Sequence, residues 1–157
     1  MRPAGAKVHQ ASMQEVNRSI GCWPWPAVRQ ACCSLRERAE SRFTPPVPGP
    51  RAPLTEVLVH EGDMRIPLGL PLEPDTSGVR IGLEFITTGC PIGFVPRGRL
   101  RGLRLVATDD NWEWGDGAEV HGRGIDLLMA ACGRSSVLPA LDGQGSKTLA
   151  ERIPADF

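Results

Sequence analysis

The segment Thr44-Pro45-Pro46-Val47-Pro48-Gly49-Pro50 sets the strongest limit on how this chain folds. Each proline removes a backbone donor and holds φ near about −65°, so neither a helix nor an inner strand runs through it. The chain is therefore read as separate segments on either side of this block.

Upstream, residues 1–22 are weakly patterned, with a short helical spacing over Ala11 to Ile20. Trp25-Pro26 places proline at a first helical position, and Val28, Cys32, Leu35 and Ala39 follow at helical spacing. Downstream, a helix is expected from near Pro53 to a point before Pro67. Asp75-Thr76-Ser77 offers N-caps to another, with Val79, Leu83 and Ile86 on one face and Gly89 as its stop. Pro91 to Gly98 reads as a connector.

The pattern then changes. Leu103 to Thr108 and Trp112-Glu113-Trp114 alternate as strands, joined by the turn residues Asp109-Asp110-Asn111. Gly115-Asp116-Gly117 is a second turn before a strand at Ala118-Glu119-Val120. Ile125, Leu128, Met129 and Cys132 form a helical stripe closed by Gly133, and Asp142-Gly143 breaks the chain before a last helix containing Leu149. The expected fold class is α+β. Residues 1–22 form a weakly ordered tail or partial helix, 23–96 a helical region and 97–157 a small α/β domain.

Composition narrows the function classes. Eighteen Lys+Arg balance 18 Asp+Glu among 157 residues, which argues against a dedicated binder of nucleic acid or membrane surface. Hydrophobic residues reach 41%, enough for a modest core, and no apolar run approaches the roughly 20 residues of a membrane span. The basic start is followed by no apolar signal segment, so a cytoplasmic location is expected. Five cysteines, one adjacent pair and no C-x-x-C exclude a disulfide framework or a thiol zinc site of ordinary spacing.

The sharpest local feature lies in Leu54-Thr55-Glu56-Val57-Leu58-Val59-His60-Glu61-Gly62-Asp63-Met64-Arg65. At about 100° per residue, Leu54, Val57, Leu58 and Met64 group on an apolar side, and Glu56, His60 and Asp63 gather beside it. Glu56 and His60, one turn apart, can reach the same metal ion, and Asp63 can orient His60 as an acceptor behind it. The same spacing also suits a solvated helix face.

The segment Glu56-Val57-Leu58-Val59-His60-Glu61-Gly62-Asp63-Met64-Arg65-Ile66-Pro67-Leu68-Gly69 resembles the second metal motif of the mycothiol-dependent maleylpyruvate isomerase family. Further similarity comes in order: Leu100-Arg101-Gly102-Leu103-Arg104-Leu105-Val106-Ala107-Thr108-Asp109, Trp112-x-Trp114-Gly115-x-Gly117, Gly122 through Ile125-Asp126-Leu127-Leu128 to Gly133-Arg134, and Leu141-x-Gly143-x-Gly145. These stretches resemble the C-terminal half of actinobacterial members, and the similarity runs from about Trp23 to Arg152.

The resemblance implies a partial DinB-like helical bundle followed by the α/β domain. It implies a divalent metal, usually zinc, held by an early His and a later Glu/His pair. Glu56 and His60 fall on that pair. It further implies mycothiol as thiol cosubstrate, attacking a small-molecule electrophile in isomerisation or S-transfer. The family's first His lies much further upstream of the pair than this chain comfortably allows. A shortened N-terminal bundle is therefore expected, with His9 as the N-terminal candidate for a third ligand. The alternative is a non-catalytic, truncated member acting as a binding or structural protein. On that reading missing helices expose Val28/Cys32/Leu35 and Val79/Leu83/Ile86, favouring a homo-oligomer.

Other features read as structural. Arg97, Arg99, Arg101 and Arg104 are expected on a solvated strand edge, Trp112 and Trp114 as sheet-packing residues, His121 as a surface or capping residue before a helix from Gly122, and Asp126 facing solvent.

Overall fold

Helix α1 (Arg51–Arg65) starts immediately after the proline block and stops before Pro67, as the local chemistry dictates. Pro53 sits in its first turn, where backbone donors lack helical partners in any case. In this computed structural model the described residues are 49–89 and 91–154, together with Gln30, Cys33 and Glu37, which are helical and exposed. The remainder of the expected 26–39 helix, the 1–22 tail, His9 and Cys90 lie outside the described residues. The chain divides into two compact units, Met1–Phe43 and Thr44–Phe157, and every helix and strand from Arg51 onward belongs to the second.

The buried side of α1 differs from the expected one. Ala52, Thr55, Leu58, Val59 and Gly62 are buried, whereas Val57 and Met64 are 65% and 64% exposed. At about 100° per residue, Val57 and Met64 lie opposite the line through Thr55 and Gly62. Two residues that are not conspicuously apolar hold the core side. The Thr55 hydroxyl is satisfied by the Arg51 carbonyl at 2.8 Å, and Gly62 lets Met129 approach where a Cβ would stand 2.2 Å from its sulfur.

Helix α2 (Thr76–Thr88) is capped by Asp75, whose side chain accepts from Gly78 N at 3.0 Å, and it ends at Gly89. Val79, Leu83 and Ile86 are not left exposed: all three are buried, along with Gly82 and Phe85. Helix α2 packs against both α1 and the later helix α3 (Gly124–Ala131). The described residues of this unit thus share a single core, which α1 and α2 and the strands after residue 100 build together.

Strands β1 (Leu103–Ala107), β2 (Glu113–Trp114) and β3 (Ala118–Gly122) form one sheet in the order β2-β1-β3. β1 pairs antiparallel with β2, in register Leu105 with Trp114, and parallel with β3, in register Leu105 with Val120. The chain between β2 and β3 must cross beside the start of β1, which explains the Gly-x-Gly turn. Gly115 and Gly117 have φ of 90° and 141°, and a Cβ on Gly117 would stand 2.2 Å from the Gly102 carbonyl oxygen.

Helix α3 is buried along its whole length rather than on one stripe. Asp126, expected in solvent, is only 6% exposed, and Arg123 holds it at 2.9 Å. The helix starts at Gly124, whose N–H donates to Asp109 Oδ1 at 2.8 Å, so the cap comes from a residue fifteen positions earlier. His121 belongs to β3 instead of preceding the helix directly. Its backbone pairs with Asp142 and its Nε2 meets Glu119 at 2.9 Å. Arg99 likewise leaves the expected solvated edge: it is buried and donates to the Ala131 carbonyl at the end of α3. Trp112 and Trp114 do pack against the core. A 3-10 turn, Ser135–Ala140, and helix α4 (Gln144–Glu151) close the unit. The fold is α+β. Among the described residues no helix is long and apolar enough to cross a membrane.

Candidate functional site

Glu56, His60 and Asp63 occupy successive turns of α1, between its buried face and the exposed Val57 and Met64. His60 stands between the two carboxylates: its Nε2 lies 3.9 Å from Glu56 Oε1 and its Nδ1 3.3 Å from Asp63 Oδ2. Glu56 and His60 are exposed, whereas Asp63 is half-buried. A carboxylate beside Nδ1 favours a proton there and leaves the Nε2 lone pair directed to the Glu56 side.

Asp63 is itself fixed by Arg134. The guanidinium makes a two-pronged contact, Nε to Oδ1 at 3.0 Å and Nη2 to Oδ2 at 2.8 Å. Its Nη1 also donates to the Cys132 carbonyl at 3.1 Å. The Arg134 hydrogen bonds hold the Asp63 carboxyl below the ordinary carboxylate value against the opposing effect of partial burial. The Arg134 charge and His60 act in the same direction as those bonds. This bidentate geometry is the form in which arginine orients a carboxylate most strongly.

A cavity of about 340 Å³ opens beside the pair, lined by Ala52, Pro53, Glu56, Val59, His60, Gly93, Phe94, Cys132 and Arg134. That volume falls in the small-molecule range. Phe94 is set by an edge-to-face contact with Phe85, centroids 5.2 Å apart. The Cys132 thiol is pushed up to about 11, chiefly by burial, with Arg134 and Arg99 pulling the other way. It is therefore a protonated, weakly nucleophilic wall group at neutral pH.

Three of the four residues singled out from the sequence thus come together, and the fourth, His9, lies outside the described residues. Glu56 and His60 present one oxygen and one nitrogen donor of the kinds zinc accepts. Two donors sharing an ion at about 2.0–2.2 Å each stand about 3–4 Å apart, so this pair fits with little movement. Asp63 is turned to Arg134, and among the described residues no group of three His, Cys, Asp or Glu side chains is placed around one point. The described residues thus place two side chains of ligand type, Glu56 and His60, next to each other. Spacing alone does not identify Arg134, Phe94 and Cys132 as site residues. Gly133-Arg134 comes directly after a helix stop, the one local hint that this arginine leaves the helix to meet something else.

No family model, no curated protein and no solved structure matches the chain.

Proposed function

We propose that this chain is a metal-binding protein of the mycothiol-dependent maleylpyruvate isomerase type, with α1 and α2 as part of a DinB-like bundle. Glu56 and His60 would hold a divalent ion, most naturally zinc, completed by a ligand outside the described residues. The observation that supports this reading is the convergence of Glu56 and His60 on one cavity with His60 backed by the Asp63–Arg134 pair. An ion of this kind, when bound, supplies the positive charge that keeps a thiol cosubstrate such as mycothiol in its thiolate form.

The chain's own residues supply the remainder. Asp63 holds the Nδ1 proton of His60 and so presents Nε2 as a donor. Arg134 prevents Asp63 from turning into the ligand position. Val59 and Phe94 give the cavity an apolar wall that excludes water from a small electrophile. Isomerisation or S-transfer is the reaction class this arrangement serves, in a cytoplasmic setting.

Metal analysis of the purified chain tests the proposal. The expected result is about one zinc per chain, lost in Glu56→Ala with His60→Ala. Absence of saturable zinc in the native protein, or undiminished zinc in the double variant, would overturn it.

A second reading is a non-catalytic binding protein or homo-oligomer. It draws on Val57 and Met64, exposed seven residues apart on one side of α1, and on the exposed Leu68 beyond it. Sedimentation distinguishes the two. Self-association abolished by Val57→Ser with Met64→Ser, in a chain that takes up no zinc, would support the second reading alone.

A further inference from the structure

Away from the α1 cavity, a depression of about 320 Å³ is lined by Pro96, Arg97, Gly98, Arg99 and Arg152. Three arginines around so small a space are unusual in a chain with no net charge. Arg51, Arg65, Arg80, Arg104, Arg123 and Arg134 each pair with a carboxylate. Among the described residues, Arg97, Arg99 and Arg152 meet none.

Two of the three are also held in place. Arg152 Nη1 donates to the carbonyls of Arg99 and Arg101, both at 2.8 Å, where the chain turns repeatedly before β1. Arg99, nine-tenths buried, donates Nη1 to Ala131 O at 3.2 Å, while its Nε has no acceptor among the described residues. Carbonyl contacts fix these guanidiniums without neutralising them. Burial pulls Arg99 below the ordinary arginine value, yet an arginine keeps its charge at neutral pH. A fixed cationic group needs little further ordering when an anion arrives.

We propose that the Arg97–Arg99–Arg152 depression is an oxyanion site that takes a phosphate group. Phosphate matches it because its oxygens can accept from the exposed Arg97 and Arg152 guanidiniums at once, beside the buried charge of Arg99, whose own head packs at the end of α3 against Ala131 and Gly133. The group could belong to free phosphate or to a monoester. A second cavity of about 480 Å³ shares Pro96, Arg97 and Gly98 and adds the apolar Ile86, Val95 and Trp114, so a monoester has room for an apolar body. The site is separate from Glu56 and His60 and holds whether or not the chain binds zinc.

Calorimetric titration of the full chain with inorganic phosphate at constant ionic strength tests this, with phenyl phosphate as a second arm. Saturable binding is expected. Arg97→Gln, whose side chain makes no hydrogen bond or ion pair among the described residues, should weaken it about tenfold or more, the usual scale for one charged hydrogen-bonding group. Arg152→Gln should do the same, with circular dichroism confirming its fold, and Arg51→Gln should leave binding unchanged. Tighter binding of phenyl phosphate identifies a monoester site, and equal binding a site for the free anion. No saturable signal, the same response to chloride, or unchanged affinity in Arg97→Gln overturns the proposal.

Discussion

Residue positions decide the chemistry of this unit through what each side chain is forced to meet. Cys132 illustrates it: an apolar wall keeps its thiol protonated although two arginines stand close. At about pH 8 a thiol with its value near 11 is thiolate in roughly one molecule per thousand. Iodoacetamide should therefore label exposed Cys33 well before Cys132, and the Cys132 rate should keep rising up to about pH 11. Peptide mass spectrometry of a time course checks this, and prompt Cys132 labelling at neutral pH would contradict it. Asp63 shows the opposite case, a carboxylate held charged by Arg134. If Glu56 and His60 hold zinc as proposed, Arg134→Gln is expected to release His60 from its fixed orientation and lower zinc affinity roughly 10- to 100-fold, the usual scale for a partner behind a metal ligand. Competition with a chelating dye measures it. Arg134→Lys should restore only part of the loss, because an ammonium cannot copy the two-pronged contact. The Glu56, His60 and Asp63 cluster is legible in the sequence because all three share one helix and its fixed angular step. Arg134 is not, since 71 positions separate it from Asp63 and no local periodicity links them.

Elements, rather than single residues, carry the connection between helices and sheet. The crossing from β2 to β3 passes so near Gly102 that a side chain at position 117 has nowhere to go. Gly117→Ala should cost about 2–4 kcal/mol, since both backbone angle and contact oppose it. Urea unfolding of the variant reads this directly. Gly49→Ala is a useful contrast: its φ is also positive, but nothing lies within 4 Å of the added carbon, so its cost should be smaller. Arg80 ties α2 to the β1–β2 turn through Asp110, with Nε to Oδ2 at 2.8 Å and Nη2 to Oδ1 at 2.7 Å. The Arg80 hydrogen bond holds the Asp110 carboxyl below its ordinary value of 3.8. A carboxyl lowered by folding stabilises the fold above its unfolded value, and that contribution fades as pH falls through the lowered one. The difference in urea midpoint between native chain and Arg80→Gln should thus be present at neutral pH and vanish on acidification below the carboxylate range. A difference that persists in acid would show that Arg80 acts through packing instead. The turn itself is legible from Asp109-Asp110-Asn111, but neither Asp109 as the distant cap of α3 nor Asp110 as the partner of Arg80 is. Both contacts exist only once the strand places the turn against a helix.

At the scale of the whole unit, α3 is the centre on which α1, α2 and the sheet all converge. Leu127, Leu128, Met129, Ala130 and Ala131 have no exposed surface. Leu128→Ala should cost about 2–5 kcal/mol, as large-to-small changes in a filled core do. One cooperative transition that shifts as a whole, seen alike by helical and aromatic signals, would confirm that the early helices and the strands unfold together. The sequence by itself determined where α1 and α2 begin and end. Proline lacks a donor, glycine alone turns easily to positive φ, and Asp75 reaches its own helix, so those decisions depend on covalent structure within a few residues. Only the tertiary structure decided which surfaces are inside. It turned Thr55 and Gly62 inward and Val57 and Met64 outward, buried Asp126 beside Arg123, and drew Arg99 to the end of α3. Each of those outcomes rests on a partner supplied by the folded chain: a carbonyl that satisfies a hydroxyl, a methionine that fills the space above a glycine, a guanidinium that accompanies a carboxylate. Burial is a property of such pairs, and the pairs exist only after the chain has closed on itself.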